Sequence, residues 1–173
     1  MFENPPLVPN YKGTKRGRGF DSKQKKRARR QAKLLNEFGV KNILDYGCST
    51  GQLFNHFEGV GVEVNDSDRA RRDNVYTSLR DVPQRKYDCV TLSHVLEHIA
   101  EPIPLLKQLS EFAPMLYVEV PSDENPSSRS GYGHILVFDK PALEFTLNLS
   151  GYTVSIMEYT ADRREIFALA EVE

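Results

Sequence analysis

The fold is decided by residues 42–51, which read NILDYGCSTG. A short apolar run contains an acid, Asp45, and two glycines four positions apart, Gly47 and Gly51, follow it. Glycine lets the backbone turn sharply and approach a ligand, and a helix that starts at such a turn offers free N–H groups. The stretch therefore predicts a ligand site at the end of a buried strand, although tight turns without a ligand share this pattern.

A second apolar run, residues 59–65 (GVGVEVN), supports this interpretation because it contains Glu63, 16 positions after Gly47. At the end of the second strand of a nucleotide-binding fold, a carboxylate can accept hydrogen bonds from both hydroxyls of a ribose. The G-x-G-x-x-G spacing of pyrophosphate binding is absent. The spacing D-x-G-x-x-x-G instead suits a ligand with an amino-acid tail and no phosphates.

Short apolar runs alternate with polar helical stretches along most of the chain. Strands are predicted at 42–46, 60–65, 74–78, 89–92 and 115–120, and helices at 21–38, after Gly51, at 67–72 and at 102–112. A helix at 140–150 precedes two strands, 152–159 and 165–172, whose five-residue link is too short for a parallel crossover. We expect an α/β fold, a Rossmann-like three-layer sandwich whose seven-stranded sheet is mostly parallel with an antiparallel C-terminal strand.

Length and composition set the domain organisation. The 173 residues suffice for a single domain, predicted at 20–173, behind a basic flexible arm at 1–19. No apolar run is long enough to cross a bilayer, and residues 1–6 lack the apolar segment of a secretory signal. Two cysteines are too few for a disulfide framework. These features predict a cytoplasmic protein.

The net charge of −1 hides a strong asymmetry. Residues 12–33 contain eleven Lys or Arg and one acid, so this segment carries +10 and the remainder −11. Three interpretations follow, in order of preference: a helix whose cations face an acidic body, a site for a phosphorylated small substrate, and a surface for nucleic acid. Few aromatic residues accompany the cations, and no folded nucleic-acid module is visible.

The order of these motifs resembles the class I S-adenosylmethionine (SAM)-dependent methyltransferases, particularly the small subgroup with a Val-Leu-Glu-His segment after strand four, here residues 95–98. The resemblance covers roughly residues 20–172. It implies SAM as cofactor, bound by a set of residues at the ends of the first four strands: Asp45, Gly47, Cys48, Ser49 and Gly51 at the methionine end, Glu63 at the ribose, Val64, Ser78 and Leu79 around the adenine, and Ser93 in the strand-four segment. The family usually has Gly where this chain has Ser49, so a Cβ crowds the cofactor there.

The resemblance also implies a methyl transfer, to an acceptor that the sequence does not identify. His134, in the Gly-rich segment after strand five, is the candidate catalytic base; the alternative is that it tethers its loop. Four residues are expected to surround an anionic small molecule or a glycan as acceptor: Arg18, Phe20, Arg129 and Tyr132. The alternative function is a catalytically inactive interaction protein that keeps the SAM-binding fold.

A remote alternative comes from residues 94–98, which spell the H-x-x-E-H motif of a zinc hydrolase. On a helix, His94 and His98 would share one face and could hold Zn²⁺. The segment follows a predicted buried strand, however, and the methyltransferase resemblance already accounts for it. We therefore expect no bound metal, with Glu97 and His98 capping and bracing the helix.

Overall fold

The structure is a computed structural model, and it describes residues 20–64, 72–83, 86–125 and 133–172. The predicted arm at 1–19 and nearly all of the predicted helix at 67–72 lie outside these ranges, as do Arg129 and Tyr132. The side chain of Phe20 is likewise outside the described part. Within the described ranges, no helix combines the length and apolar character that crossing a membrane requires.

A seven-stranded sheet forms the centre of the molecule. Its strands are β1 Asn42–Tyr46, β2 Glu58–Val62, β3 Val75–Tyr76, β4 Cys89–Ser93, β5 Met115–Pro121, β6 Tyr152–Tyr159 and β7 Glu165–Val172. They are arranged in the order β3-β2-β1-β4-β5-β7-β6. Strand β7 runs antiparallel to β5 and β6, and the other pairs are parallel. The predicted fold class is thus confirmed, and the order reverses between β1 and β4, where open α/β sheets bind ligands.

Within the described ranges, three α-helices cover the sheet: α1 Phe20–Glu37, α2 Pro102–Leu109 and α3 Lys140–Leu149. Helix α1 buries an apolar stripe of Ala28, Ala32 and Leu35 against one core cluster. The second and larger core cluster contains the buried residues of α2 and α3. Two separate apolar cores on one sheet are what a three-layer α/β sandwich requires.

The region between β1 and β2 differs from the sequence prediction. The helix expected after Gly51 is a single 3-10 turn, Gln52–Asn55, and β2 begins at Glu58 rather than at Val60. The pairing of Glu58 with Asn42 fixes this start and leaves only six residues after Gly51. Six residues cannot complete two turns of α-helix and still return to the sheet.

Candidate functional site

The loop after β1 is fixed by backbone hydrogen bonds to the end of β2. The N–H groups of Gly47 and Cys48 both donate to the carbonyl oxygen of Val62, at 2.8 and 3.1 Å. Gly47 has a φ of 77°, and a Cβ at this position would overlap the side chain of Val95, in the turn after β4. The glycine therefore serves both the turn and a close contact between the ends of two neighbouring strands.

The side chain of Asp45 is covered by the protein at the edge of the sheet and is not exposed to solvent. Its carboxylate accepts a hydrogen bond from the hydroxyl of Thr91 at 2.7 Å, and its side chain is buried. Burial raises the pKa of Asp45 to about 7, and the nearby Glu63 contributes to this rise. A buried acid that titrates near neutrality can respond to the charge of a ligand bound beside it.

Ser49 adopts a left-handed backbone conformation, with a φ of 46°, which glycine tolerates better than other residues. Its N–H donates to a carboxylate oxygen of Glu63 at 2.9 Å, and its hydroxyl accepts from the side chain of Gln24 at 3.1 Å. Gln24 also accepts from the hydroxyl of Thr50. Helix α1 thus holds the loop in which the cofactor is expected, and Glu63 braces that loop.

The remaining residues of the predicted cofactor set lie near the same edge of the sheet, in different environments. Cys48 is buried, and burial raises the pKa of its thiol. Ser78 accepts a hydrogen bond from the N–H of Arg80, while the side chain of Leu79 is fully buried, so only its backbone is available to a ligand. Val64 packs against the larger core, and Ser93 accepts a hydrogen bond from Gln31.

A second group of polar residues follows β4. Glu97 is 1% exposed, His94 Nδ1 lies 3.4 Å from its Oε1, and within the described part of the chain Oε2 has no hydrogen-bond partner. The Nε2 atoms of His98 and His134 each lie 4.0 Å from Glu97 Oε1, and the two rings meet edge to face at 4.8 Å. His134, the base predicted from the sequence, is thus placed beside two residues of the Val-Leu-Glu-His segment.

The ionisation of this cluster follows from its neighbours. Burial alone raises the pKa of Glu97, but His94 and His98 outweigh it and bring that pKa below its usual value. Burial lowers the pKa of His98 despite the carboxylate of Glu97. A neutral His98 with its Nδ1–H donated to the carbonyl oxygen of Gly133, 3.0 Å away, presents the lone pair of Nε2 towards Glu97.

The three groups are also a candidate set of ligands for a divalent metal ion. Their ligand atoms all lie within 4.8 Å of one another, and the contact of Glu97 Oε1 with His94 leaves Oε2 without a partner in the described chain. Two ligand atoms that each lie about 2.1 Å from an ion are separated by at most about 4.2 Å, which the Glu97–His98 and Glu97–His134 separations of 4.0 Å respect. The absence of metal expected from the sequence is not tested by this geometry.

The H-x-x-E-H segment is not helical in the way that a zinc-hydrolase motif requires, which corrects the expectation that both histidines would share a helix face. His94 is left-handed, with a φ of 57°, and only Leu96–His98 form a 3-10 turn. Glu97 also accepts the N–H groups of Ile135 and Leu136 through its backbone carbonyl.

A set of ion pairs that no sequence pattern predicted joins α1 to β5. Arg27 and Arg30 contact Glu119 Oε1 at 3.0 and 2.7 Å, and Tyr117 donates its hydroxyl to the other oxygen of Glu119. His94 Nε2 lies 3.8 Å from the same carboxylate. The only signal in the sequence was an acid inside the buried run 115–120, and nothing there pointed to its partners on α1.

The fold and the paired glycine and acid positions define a nucleotide-type binding site at the strand ends of a Rossmann-like sheet. A family model described as a methyltransferase domain matches residues 20–154, so the chain belongs to that family. The predicted class, a SAM-dependent methyltransferase with SAM as its cofactor, is confirmed. A search of curated proteins finds no match.

Solved structures show the same fold at low identity. A SAM-dependent methyltransferase from Aquifex aeolicus is 14% identical, with a TM-score of 0.63, 86% of this chain covered and 98% of that one. One from Archaeoglobus fulgidus is 17% identical, with a TM-score of 0.63 and coverage of 90% and 100%. Magnesium protoporphyrin IX methyltransferase from Synechocystis, with bound S-adenosylhomocysteine (SAH), is 14% identical, with a TM-score of 0.67 and coverage of 94% and 91%.

Proposed function

We propose that the chain transfers the methyl group of SAM to an oxygen of an acceptor that binds beside Glu97, His98 and His134. The observation that carries this proposal is the buried carboxylate of Glu97, which three histidines surround: His94 Nδ1 lies 3.4 Å from Oε1, His98 and His134 Nε2 each lie 4.0 Å from it, and Oε2 has no hydrogen-bond partner in the described chain. A buried acid with unmet hydrogen-bonding capacity is costly, and such costs are typical of functional sites. The contact between Gly47 and Val95 supports a cofactor loop adjacent to this cluster.

In this proposal His134 accepts the proton of the acceptor hydroxyl, and the negative charge of Glu97 stabilises the resulting imidazolium. His98, held by the carbonyl of Gly133, fixes the edge of the His134 ring. Positioning the acceptor in line with the sulfonium supplies most of the rate, since alignment alone is worth roughly 7–11 kcal/mol. The acceptor itself is proposed to be an anionic small molecule or a glycan, as the sequence analysis expects.

A second candidate arrangement is favoured by the lone pair that His98 directs towards Glu97. In it, Glu97, His98 and His134 hold a divalent cation, and His134 is a ligand rather than a base. A cation at such a site lowers the pKa of a bound hydroxyl and orients it. The two arrangements differ in one measurable property: only the second requires a metal for turnover.

The experiment that tests the proposal follows tritium from [methyl-³H]SAM into a protein-free extract of small molecules and glycans, separated by charge. The wild-type protein and Glu101→Gln, at an exposed neighbouring acid, should label the same fraction, whereas Glu97→Gln should not, although it still binds SAH. Label that survives a chelator supports His134 as base, and label that requires added Mg²⁺ or Mn²⁺ supports the cation. Equal labelling by Glu97→Gln would reject the site, and SAH binding without labelling by any protein would favour the inactive interaction protein.

A further inference from the structure

Helix α1 divides its cations between two directions. Arg27 and Arg30 turn towards the sheet edge and pair with Glu119. Five others are exposed: Lys23, Lys25, Lys26, Arg29 and Lys33. Among the described residues, no carboxylate forms an ion pair with any of these five. Two cations of this helix therefore face acidic residues of the body, as the sequence predicted. The five cations of the outer face do not, and their role is unexplained.

The outer cations form a continuous ridge. Lys26, Arg29 and Lys33 follow one another at intervals of three and four residues, which places them on one face of the helix. Over these seven positions the helix rises about 10 Å. A ridge of this length can contact several phosphates of an extended polyanion, whose charges repeat at short intervals, but is longer than one phosphate group needs.

A cavity of about 240 Å³ opens on one flank of this ridge. It lies between α1 and the 3-10 turn after β1, and its lining consists of Lys25, Ala28, Arg29, Gln52, Asn55 and His56. The lining contains two cations, an imidazole and two amides, and no carboxylate from the described chain. The two cations and the imidazole can donate to phosphate and sugar oxygens, whereas the amides of Gln52 and Asn55 donate to Thr50 and to Gln52. Arg29 belongs to both the cavity and the ridge, so the two form one surface.

We propose that the outer face of α1, with the cavity at Lys25, Arg29 and His56, binds the sugar-phosphate backbone of nucleic acid without sequence preference. Charge complementarity selects this partner. Five exposed cations lie on this outer face, and the chain outside residues 12–33 carries −11, so a polyanion is attracted to this face and repelled elsewhere. The cavity takes a phosphate or sugar, and the ridge follows the chain on either side. This surface does not include the cofactor loop, and its binding is independent of methyl transfer.

The test measures binding of a fluorescein-labelled single-stranded RNA of roughly 20 nucleotides, longer than one expected site, by anisotropy between about 50 and 200 mM KCl. The triple variant Lys26→Gln, Arg29→Gln, Lys33→Gln should bind more weakly. The slope of log affinity against log salt should fall by about 2, because each phosphate contact on a single strand contributes about 0.7. Saturating SAH should leave the wild-type affinity unchanged.

The matched control is Lys41→Gln, Lys86→Gln, Lys107→Gln, which removes the same charge from exposed positions away from α1. It should keep the wild-type affinity and slope, and thermal unfolding should show that both variants are folded. Equal losses in the two variants would overturn the proposal, because net charge alone would then explain binding. It would also be overturned by a wild-type protein that does not bind RNA at about 50 mM KCl, or that binds vesicles of phosphatidylserine and phosphatidylcholine but not RNA.

Discussion

Gly47 and Val95 are packed so closely that a side chain at position 47 would overlap the Cγ2 methyl group of Val95. This contact joins the turn after β1 to the turn after β4. Val95 lies two positions before Glu97 in the chain, so the expected cofactor loop and the cluster around Glu97 are neighbours. A glycine with a φ of 77° makes both the turn and the contact possible. The relationship predicts that SAM binding depends on the size of residue 47 as well as on its backbone conformation.

Gly47→Ala should destabilise the protein and weaken SAM binding severely. The left-handed conformation alone costs a non-glycine residue about 1–2 kcal/mol, and the overlap with Val95 adds about 1–3 kcal/mol. Chemical denaturation and calorimetry with SAH measure the two effects. Gly151→Ala is the control for the backbone cost, because Gly151 has a φ of 87° and a Cβ added there would meet no other atom within 4 Å. The double variant Gly47→Ala, Val95→Ala should recover the part of the free energy of unfolding that is lost through the overlap. Failure to recover it would contradict the contact.

Glu63→Ala should weaken SAM binding by about 2–3 kcal/mol, because it removes charge-assisted hydrogen bonds to the ribose. The structure adds a second reason: the same carboxylate accepts the N–H of Ser49 at 2.9 Å and braces the loop. Glu58→Ala, at an exposed position of the strand that ends just before Glu63, is the control and should leave the dissociation constant unchanged. An unchanged dissociation constant for Glu63→Ala would remove Glu63 from the cofactor site.

Ser49→Gly should leave SAM affinity unchanged or increase it. Glycine relieves the cost of a φ of 46° and keeps the N–H bonded to Glu63. It also removes the Cβ that we expect to crowd the methionine end. Calorimetry with SAM and SAH gives the comparison, and Gln24→Ala separates the loss of the hydroxyl contact from the change in backbone. A marked loss of affinity in Ser49→Gly alone would show that the hydroxyl contacts the ligand.

Asp45 should make the stability of the ligand-free protein decrease as the pH rises. Its pKa is about 7 in the folded chain and about 4 when unfolded, so the folded state binds the proton more tightly between these values. As the pH rises, ionisation of Asp45 stabilises the unfolded state more than the folded state. This difference in free energy reaches about 4 kcal/mol above pH 7. Relative to Asp45→Asn, which can still accept the hydrogen bond of Thr91, the wild type should therefore lose stability from about pH 4 to about pH 7. If the free energies of unfolding of the wild type and of Asp45→Asn instead change in parallel across this window, Asp45 has an ordinary pKa in the folded chain.

The sequence predicted those parts of the fold that depend on local periodicity and short connections. The five-residue link between β6 and β7 was enough to predict the antiparallel end, and Asp45, Gly47 and Gly51 were enough to predict the turn after β1. The helix after Gly51 was wrong because the register of β2 against β1 decides its length, and register is a long-range property.

The acceptor side was harder to predict for a related reason. Glu119 meets Arg27 and Arg30 across some ninety positions of sequence, so no spacing rule connects them. The proximity of His134 to Glu97 likewise depends on a loop that returns over the end of β4. The predicted meeting of Arg18, Phe20, Arg129 and Tyr132 with His134 falls outside the described side chains and stays a prediction.

Removal of residues 1–19 is the test of how the basic arm contributes to turnover. Helix α1 begins at Phe20, so the deletion removes no described element, and the loop contacts made by Gln24 are kept. We expect a normal unfolding midpoint and much of the SAH affinity, but a loss or strong slowing of methyl transfer, because Arg18 and its neighbouring cations would no longer hold an anionic acceptor. Transfer is measured as tritium incorporated into the fraction that the full chain labels, with the Lys41→Gln, Lys86→Gln, Lys107→Gln protein as a control for lost charge. Full turnover by the shortened chain would place the arm outside the acceptor site, and its cations would then act together with the outer face of α1 on a macromolecular partner.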